Sequence, residues 1–335
     1  MIAWIQFLAS ASVIAVAGTR LARDGDRIAE LTGLGRLWIG VVLVAGATSL
    51  PEVLTDVSAA LMDAPDLAVG DLFGSNMANM LILGIIDLLH RQKRVWQQAA
   101  YEQTLIAALA MTLTGLAGTC ILLKAGVAHG GVGLDTLALI VLYLLGMRVV
   151  YRQADMRHRQ QEQHVVAQVE GIGITEEQRS LALRSAVIGF AIASLAILVA
   201  APFLAWSAKS IAEQTGISTG FIGTFLVAIT TSLPELAASI AAVRLGAFDL
   251  AVGNLFGSNA FNMAALFFID VAFREGPLLS LVSSTHGIAA FWSIILMGIG
   301  LMGIIYRAEK RFLLIEPDSL LMIVSYVLGV WLLFQ

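Results

Sequence analysis

Residues 38–53, WIGVVLVAGATSLPEV, return 183 positions later as FIGTFLVAITTSLPEL, and DLAVGDLFGSNMANM at 66–80 returns at the same offset as DLAVGNLFGSNAFNM. Between 46–80 and 229–263, 19 of 35 positions are identical with no gap. A chain that repeats itself this closely is two copies of one unit packed on each other. The copies lie in an apolar chain: 58% of its 335 residues are hydrophobic and 13% are charged, against roughly 25% charged in an ordinary soluble domain. With a mean hydropathy of +0.85, that composition excludes disordered and collagenous chains and points to a polytopic helical membrane protein. The net charge of -4 carries none of the basic excess of a nucleic-acid binder. Cys120 is the single cysteine, so no intrachain disulfide can form.

A membrane-crossing helix needs roughly 20 mostly apolar residues. Ten stretches qualify, near 2–19, 35–60, 67–89, 102–123, 130–150, 182–206, 217–243, 249–271, 284–306 and 318–335. The first has no Lys or Arg before it, and Arg20, Arg23 and Arg27 follow it, so it reads as an anchor with its N-terminus outside and not as a signal peptide. Placed that way, the cytoplasmic segments hold 17 of the 20 Lys and Arg, and the outer side only Lys124, Lys209 and Arg274, as the positive-inside rule requires. Both termini are expected outside. Five spans separate each repeated element from its copy, so the second copy crosses in the opposite direction. The expected architecture is an all-α polytopic membrane protein with ten transmembrane helices in two inverted-topology five-helix repeats. Residues 1–150 form the first, 151–180 a cytoplasmic linker and 181–335 the second. Thr175, Glu176 and Glu177 are expected to open the helix after the linker. Inverted repeats with proline- or glycine-broken helices at matching places mark secondary transporters, whose ion site lies at mid-membrane.

The repeated motifs suit a cation. Pro51 and Pro234 each lack the N–H that would bond the carbonyl four residues back, that of Ala47 and of Thr230. In hydrocarbon such oxygens persist only where protein, water or an ion satisfies them. Thr48 and Ser49, with Thr231 and Ser232, add hydroxyls, and Glu52 and Glu235 follow the prolines directly. Neither span interior carries a Lys or Arg, so the compensating charge has to be a proton or a bound cation. Hard cations such as calcium take six to eight oxygens from carboxylates, amides, hydroxyls and carbonyls. Ser75 and Asn79, and Ser258 and Asn262, each stand four apart in G-S-N-x-x-N and so share a helix face. Gly70, Gly74, Gly253 and Gly257 make a small face for close packing.

At these residues the sequence resembles the sodium/calcium exchanger family of the calcium/cation antiporter superfamily, in its prokaryotic form with two inverted alpha repeats. GATSLPE with GSNMAN, and TTSLPE with GSNAFN, look like its two signatures; the specific match covers roughly 80 residues and the ten-span arrangement extends it over the chain. The resemblance implies a calcium site made chiefly by Glu52 and Glu235 with Thr48 and Thr231. It implies sodium ligands from Ser49, Ser75, Ser232, Ser258 and the carbonyls of Ala45 and Ala228, with Asn79 and Asn262 at mid-membrane. The chain departs from the best-known sodium-driven members at Asn262, where they carry an aspartate, which bears on the coupling ion. Asp71, matched by Asn254, and Asp56, matched by Ser239, are accessory candidates. With Asp63 and Asp66 they either form a negative funnel for cations or are solvated helix ends. Asp87 and Asp270 are read as interfacial salt-bridge partners. His90, His129, His158, His164 and His286 have no metal-ligand spacing.

The expected function is therefore secondary active antiport: calcium leaves in exchange for sodium by alternating access between the two repeats. A calcium/proton antiporter is the alternative, in which Glu52, Glu235 and Asp71 return protons. A passive cation channel is a third reading. No triad, Walker loop or His/Cys cluster suggests an enzyme, and no cofactor is expected. The expected partners are Ca2+ with Na+ or H+, and the lipid bilayer; the protein is expected to work as a monomer in a cell (inner) membrane.

Overall fold

The computed structural model describes residues 2–32, 48–89, 102–124, 126–165, 176–244, 248–306 and 317–335. The helices are α1 Ile2–Thr32, α2 Leu50–Leu61, α3 Pro65–Leu89, α4 Glu102–Leu123, α5 Leu134–Val165 and α6 Glu176–Thr215. The stretch expected as the seventh span is broken into α7 Thr219–Ile222, a π turn Gly223–Val227, α8 Ala228–Thr231 and α9 Leu233–Arg244. Then follow α10 Phe248–Ala272, the single turn α11 Leu278–Leu281, α12 Thr285–Tyr306 and α13 Pro317–Phe334. The chain is a polytopic helical membrane protein. Among the described residues, eight helices are long and apolar enough to cross a bilayer, and Asp318–Phe334 is a shorter apolar helix. Of the expected span 35–60, residues 35–47 lie outside the described ones.

Two boundaries differ from expectation for identifiable reasons. Residues 130–133 belong to a small antiparallel hairpin, β1 Ala128–His129 with β2 Val132–Gly133. Its two turn residues, Gly130 and Gly131, have φ of 62° and 90°, a backbone that only glycine adopts cheaply and that matches strand twist. Helix α5 runs on to Val165, because QADMRHRQQEQH contains good helix formers and neither Gly nor Pro. Helix α6 begins at Glu176, in the acidic cluster expected to open it. The described parts of 151–180, residues 151–165 and 176–180, are helical extensions of α5 and α6.

Helices α3 and α10 occupy the centre: 89% and 72% of their membrane windows are buried, against 22% for α5. A helix shielded from lipid has no need of an apolar surface all round, so these two can carry the Asn, Ser and Asp of the motifs. The packing around them is reciprocal under the 183-residue offset. Helix α2 lies on α3 as α9 lies on α10, α4 on α10 as α12 on α3, and α5 on α10 as α13 on α3. Each copy's last two helices therefore lean on the central helix of the other copy.

Two features hold that interlock. Asp270 of α10, wholly buried, accepts from Thr136 Oγ1 at 2.5 Å, Gly133 N at 2.7 Å and Leu278 N at 2.8 Å. Its counterpart Asp87 accepts from Ser319 Oγ at 2.6 Å, and Ser319 is the counterpart of Thr136. The salt bridge expected of Asp270 is replaced by neutral N–H and O–H donors; His90 and Arg91, proposed partners of Asp87, lie outside the described residues. The second feature is the glycine face of α3. A Cβ on Gly74 would overlap the Thr224 backbone, and one on Gly70 would overlap the Gly220 carbonyl. Without side chains there, α3 reaches the backbone of α7 and the π turn directly.

Asp270→Ala is expected to strip three buried donors of their acceptor and to destabilise the protein by on the order of 3 kcal/mol, read as a lowered unfolding midpoint in detergent. Gly74→Ala is expected to cost about 1 to 3 kcal/mol through overpacking against a backbone that cannot yield, with the same assay; an unchanged midpoint would show that α3 has room to shift.

Candidate functional site

The site is built on two helix breaks with the same geometry. Ser49 has φ -86°, ψ 4° and Ser232 has φ -82°, ψ 4°. This is the bridge region, between helix and turn. Pro51 and Pro234 follow two residues later, in the first turns of α2 and α9, where a missing N–H does no harm. Each break places its glutamate in the first turn of a new helix, beside free N–H groups that favour negative charge. The breaks meet in space: Gly18 of α1 abuts the Pro234 ring, and a Cβ there would lie 3.5 Å from Pro51 Cγ.

The breaks are lined by hydroxyls in crossed pairs. Thr48 Oγ1 stands 3.5 Å from Ser258 Oγ, and Thr231 Oγ1 stands 3.4 Å from Ser75 Oγ. Each pair joins one copy's break to the other copy's central helix, and the two pairs are counterparts. Glu52 and Glu235, both wholly buried, lie close enough to act on one another, and Asp71 acts on both. Thr48 and Ser258 lie beside Glu235. Neither glutamate has an ion-pair partner among the described residues.

One helical turn further along α3 and α10, four asparagines cross-link the copies. Asn79 Nδ2 donates to Asn259 Oδ1 at 2.9 Å, and Asn262 Nδ2 donates to Asn76 Oδ1 at 3.2 Å; again these are counterparts. Asn259 Nδ2 also reaches the Asn76 carbonyl at 3.3 Å. With their N–H groups so used, Asn79 and Asn262 keep their side-chain carbonyl oxygens unpartnered. Asn76 and Asn259 were not among the expected ligands. They position the other two amides, and their place in the repeated G-S-N-x-x-N was the available signal.

The structure brings together Thr48, Ser49, Glu52, Ser75, Asn79, Thr231, Ser232, Glu235, Ser258 and Asn262, all buried. Ala45 lies outside the described residues. Ala228 is buried, and its carbonyl accepts from Ser232 N at 3.0 Å and lies 3.4 Å from Thr231 Oγ1. Asp56 and Asp71 are not solvated helix ends: both are fully buried. Asp71 Oδ1 stands 3.0 Å from Thr231 Oγ1 and 3.3 Å from Ser75 Oγ. Asp66, offered either as part of a funnel or as a solvated end, is held by His286 Nε2 at 2.9 Å and Ser283 N at 2.7 Å. The pair lies at the rim of a cleft of about 260 Å³.

The chemistry of this arrangement is set by an excess of oxygen. Ser49 and Ser232, Glu52 and Glu235, and Asn79 and Asn262 together present eight buried oxygens with no hydrogen-bond partner among the described residues. Among the described residues, no three Asp, Glu, His or Cys side chains converge closely enough to hold a metal by themselves. Two carboxylates completed by neutral oxygens are a donor set for hard cations such as calcium and sodium.

Comparison with known proteins agrees with this chemistry. The family model described as sodium/calcium exchanger protein matches residues 2–152 and again 185–335, two stretches that begin 183 residues apart. Inner membrane protein YrbG of Escherichia coli is 30% identical over 266 residues, covering 79% of this chain and 78% of YrbG. Sodium/calcium exchanger MaX1 of Methanosarcina acetivorans is 25% identical over 327 residues, covering 91% of this chain and 93% of MaX1. Among solved structures, the sodium-calcium exchanger NCX_Mj superposes with a TM-score of 0.64 at 21% identity, covering 99% of this chain and 98% of that one, a likeness of fold. With both copies matched by one family model and the paired motifs gathered into one buried, oxygen-lined centre, the chain belongs to the sodium/calcium exchanger family of membrane transporters.

Proposed function

We propose that this protein exports calcium in exchange for sodium. One calcium, or several sodium ions, neutralises the Glu52/Glu235 pair, and the loaded protein exposes that centre alternately to the two sides of the membrane. The observation that carries the reading is the set of oxygens on repeat-related residues that have no hydrogen-bond partner among the described residues, around two glutamates buried at one centre. Each bare carboxylate in such a dry site costs several kcal/mol in desolvation, and the two repel. Reorientation of the empty protein is therefore rare, and this penalty enforces exchange over leak. Thr48 and Thr231 complete the calcium shell. Ser49, Ser75, Ser232 and Ser258, with the Ala45 and Ala228 carbonyls, serve sodium, and Asn79 and Asn262 close the centre at mid-membrane.

The two copies act as inverted five-helix repeats, 1–150 and 181–335, that rock against each other. Their crossed hydroxyl and amide contacts are what a two-fold relation between the copies would leave. The positive-inside count puts both termini outside, and one chain supplies both halves, so a monomer suffices. The second reading is calcium/proton antiport, favoured by the additional buried acids Asp56 and Asp71 and by the neutral Asn262. A passive channel would need an open path, whereas the site residues here are buried from every side.

Glu52→Gln and Glu235→Gln are each expected to abolish calcium-dependent transport in proteoliposomes while the protein still inserts and elutes as a folded species; wild-type calcium flux from either would remove the glutamate pair from the mechanism. In calcium-loaded vesicles, an imposed sodium gradient at fixed pH is expected to drive efflux. Efflux that instead needs only a pH gradient would establish the proton-coupled reading.

A further inference from the structure

The cleft of about 260 Å³ at the start of α3 opens beside the centre without belonging to it, and Asp66, Thr219, Thr224, Ser283, Thr285 and His286 are among its lining residues. Its wall reaches the ion centre: a Cβ on Gly74, the residue before Ser75, would overlap the backbone of the same Thr224. At the rim, His286 Nε2 donates to Asp66 Oδ1 at 2.9 Å, and Ser283 N donates to that oxygen at 2.7 Å. The imidazole is 4% exposed and the carboxylate 35%. The ring also abuts α7, where a Cβ on Gly220 would lie 3.0 Å from His286 Cε1. The histidine is thus fixed by packing, while the carboxylate stays open to the cleft.

The other copy lacks this pair. Gln103 stands 183 residues before His286 and lies against Gly253, the counterpart of Gly70. One copy therefore carries an imidazole where the other carries a permanently neutral amide. Imidazole is the side chain that ordinarily changes charge between about pH 5 and 8. Nε2–H donates to Asp66 in either state, so a proton arriving at Nδ1 keeps the contact and cancels the charge of the pair. The other charged residues at this end of the bundle are Asp63 after α2, Lys124 after α4, Lys209 and Glu213 on α6, and Arg274 and Glu275 after α10. Among the described residues, none of these lines the cleft. Lys124 is exposed and acts on Asp66 from outside it, and Lys209 Nζ donates to the Met62 carbonyl at 2.6 Å. His286 is the group that sets the charge of the lining.

We propose that Asp66 is a cation-entry carboxylate at the outer mouth of the protein and that a proton on His286 competes with incoming cations for it. With the imidazole neutral, the carboxylate draws hydrated calcium or sodium into the cleft; with the imidazolium formed, the mouth loses that attraction. The proposal rests on the exchanger reading and adds regulation by protons at one mouth only.

The test reconstitutes the full-length protein with equal pH on both sides and titrates exchange with CaCl2 and with NaCl at constant ionic strength, at about pH 6 and about pH 8. Acidification is expected to raise half-saturation about twofold for sodium and about fourfold for calcium, because a divalent ion feels the same field twice as strongly and its factor is the square. Asp66→Asn is expected to give the same two factors at the higher pH, and added choline chloride to shrink them by screening. His286→Gln, which installs the residue of the other copy, is expected to lose most of the response to acidification. Bath pH is expected to act in right-side-out membrane vesicles and not in everted ones. Four results would overturn the proposal: a pH response in His286→Gln equal to that of the unmodified protein, sodium and calcium shifting by one common factor, a fall in maximal rate at unchanged half-saturation, or a response confined to everted vesicles. If Asp66→Asn does not fold, His286→Gln is judged by the same criteria, and failure of both to fold would assign the pair to packing. Loss of the exchanger reading itself shows separately, as undiminished calcium flux in Glu52→Gln.

Discussion

A carboxylate inside a membrane protein has to be answered by positive charge, and the arrangement of this chain follows from having two of them at its centre. Glu52 and Glu235 are fully buried, close to each other, and without an ion-pair partner among the described residues. The polar groups around them add oxygen: hydroxyls from the breaks, amide carbonyls from α3 and α10, and the further carboxyls of Asp56 and Asp71. A site of this kind is costly when dry and bare, and in the proposed reading mobile ions supply its charge balance. Transport is the natural use of a fold whose interior is completed by something that can leave.

The scaffold makes that centre by denying it ordinary helix geometry. Ser49 and Ser232 take nearly identical bridge-region angles, and the prolines after them prevent the helix from healing. On the second copy the break is preceded by a π turn at Gly223–Val227, a feature that often sits beside functional residues. The glycines of α3 let that irregular backbone come within van der Waals contact, which sets Ser75 and Asp71 against Thr231. Away from the centre, Asp270 gathers neutral donors from α5, α11 and β2, and Asp87 accepts from Ser319 of α13.

Much of this was readable from the amino-acid order. The repeat, the apolar spans and the pairing of a proline-broken motif with G-S-N-x-x-N located the buried centre, because each depends on local spacing that folding preserves. What escaped depended on partners far apart in sequence. Asn76 and Asn259 stand in the repeated G-S-N-x-x-N, but what they do follows from the opposite copy's amides beside them. Asp270 looked like a partner for Arg274, four residues away, whereas its donors include Thr136 and Gly133 of the other copy. Asp56 and Asp71 sit near a helix end and so read equally well as solvated. Their burial is set by the helices packed over them, which no window of sequence contains. The polar extension of α5 was missed for the opposite reason, since apolar length marks the bilayer and not the end of the helix.

The reciprocal packing has a consequence for how such a protein can be inherited. Because α4 and α5 rest on α10, and α12 and α13 rest on α3, neither copy has a complete core by itself, yet the copies are no longer interchangeable at Asp56 and Asp71. Two identical halves would assemble into a particle with both acidic corners or with neither. Tandem fusion into one polypeptide guarantees unlike partners at every assembly event, and it frees each half to drift away from symmetry one residue at a time.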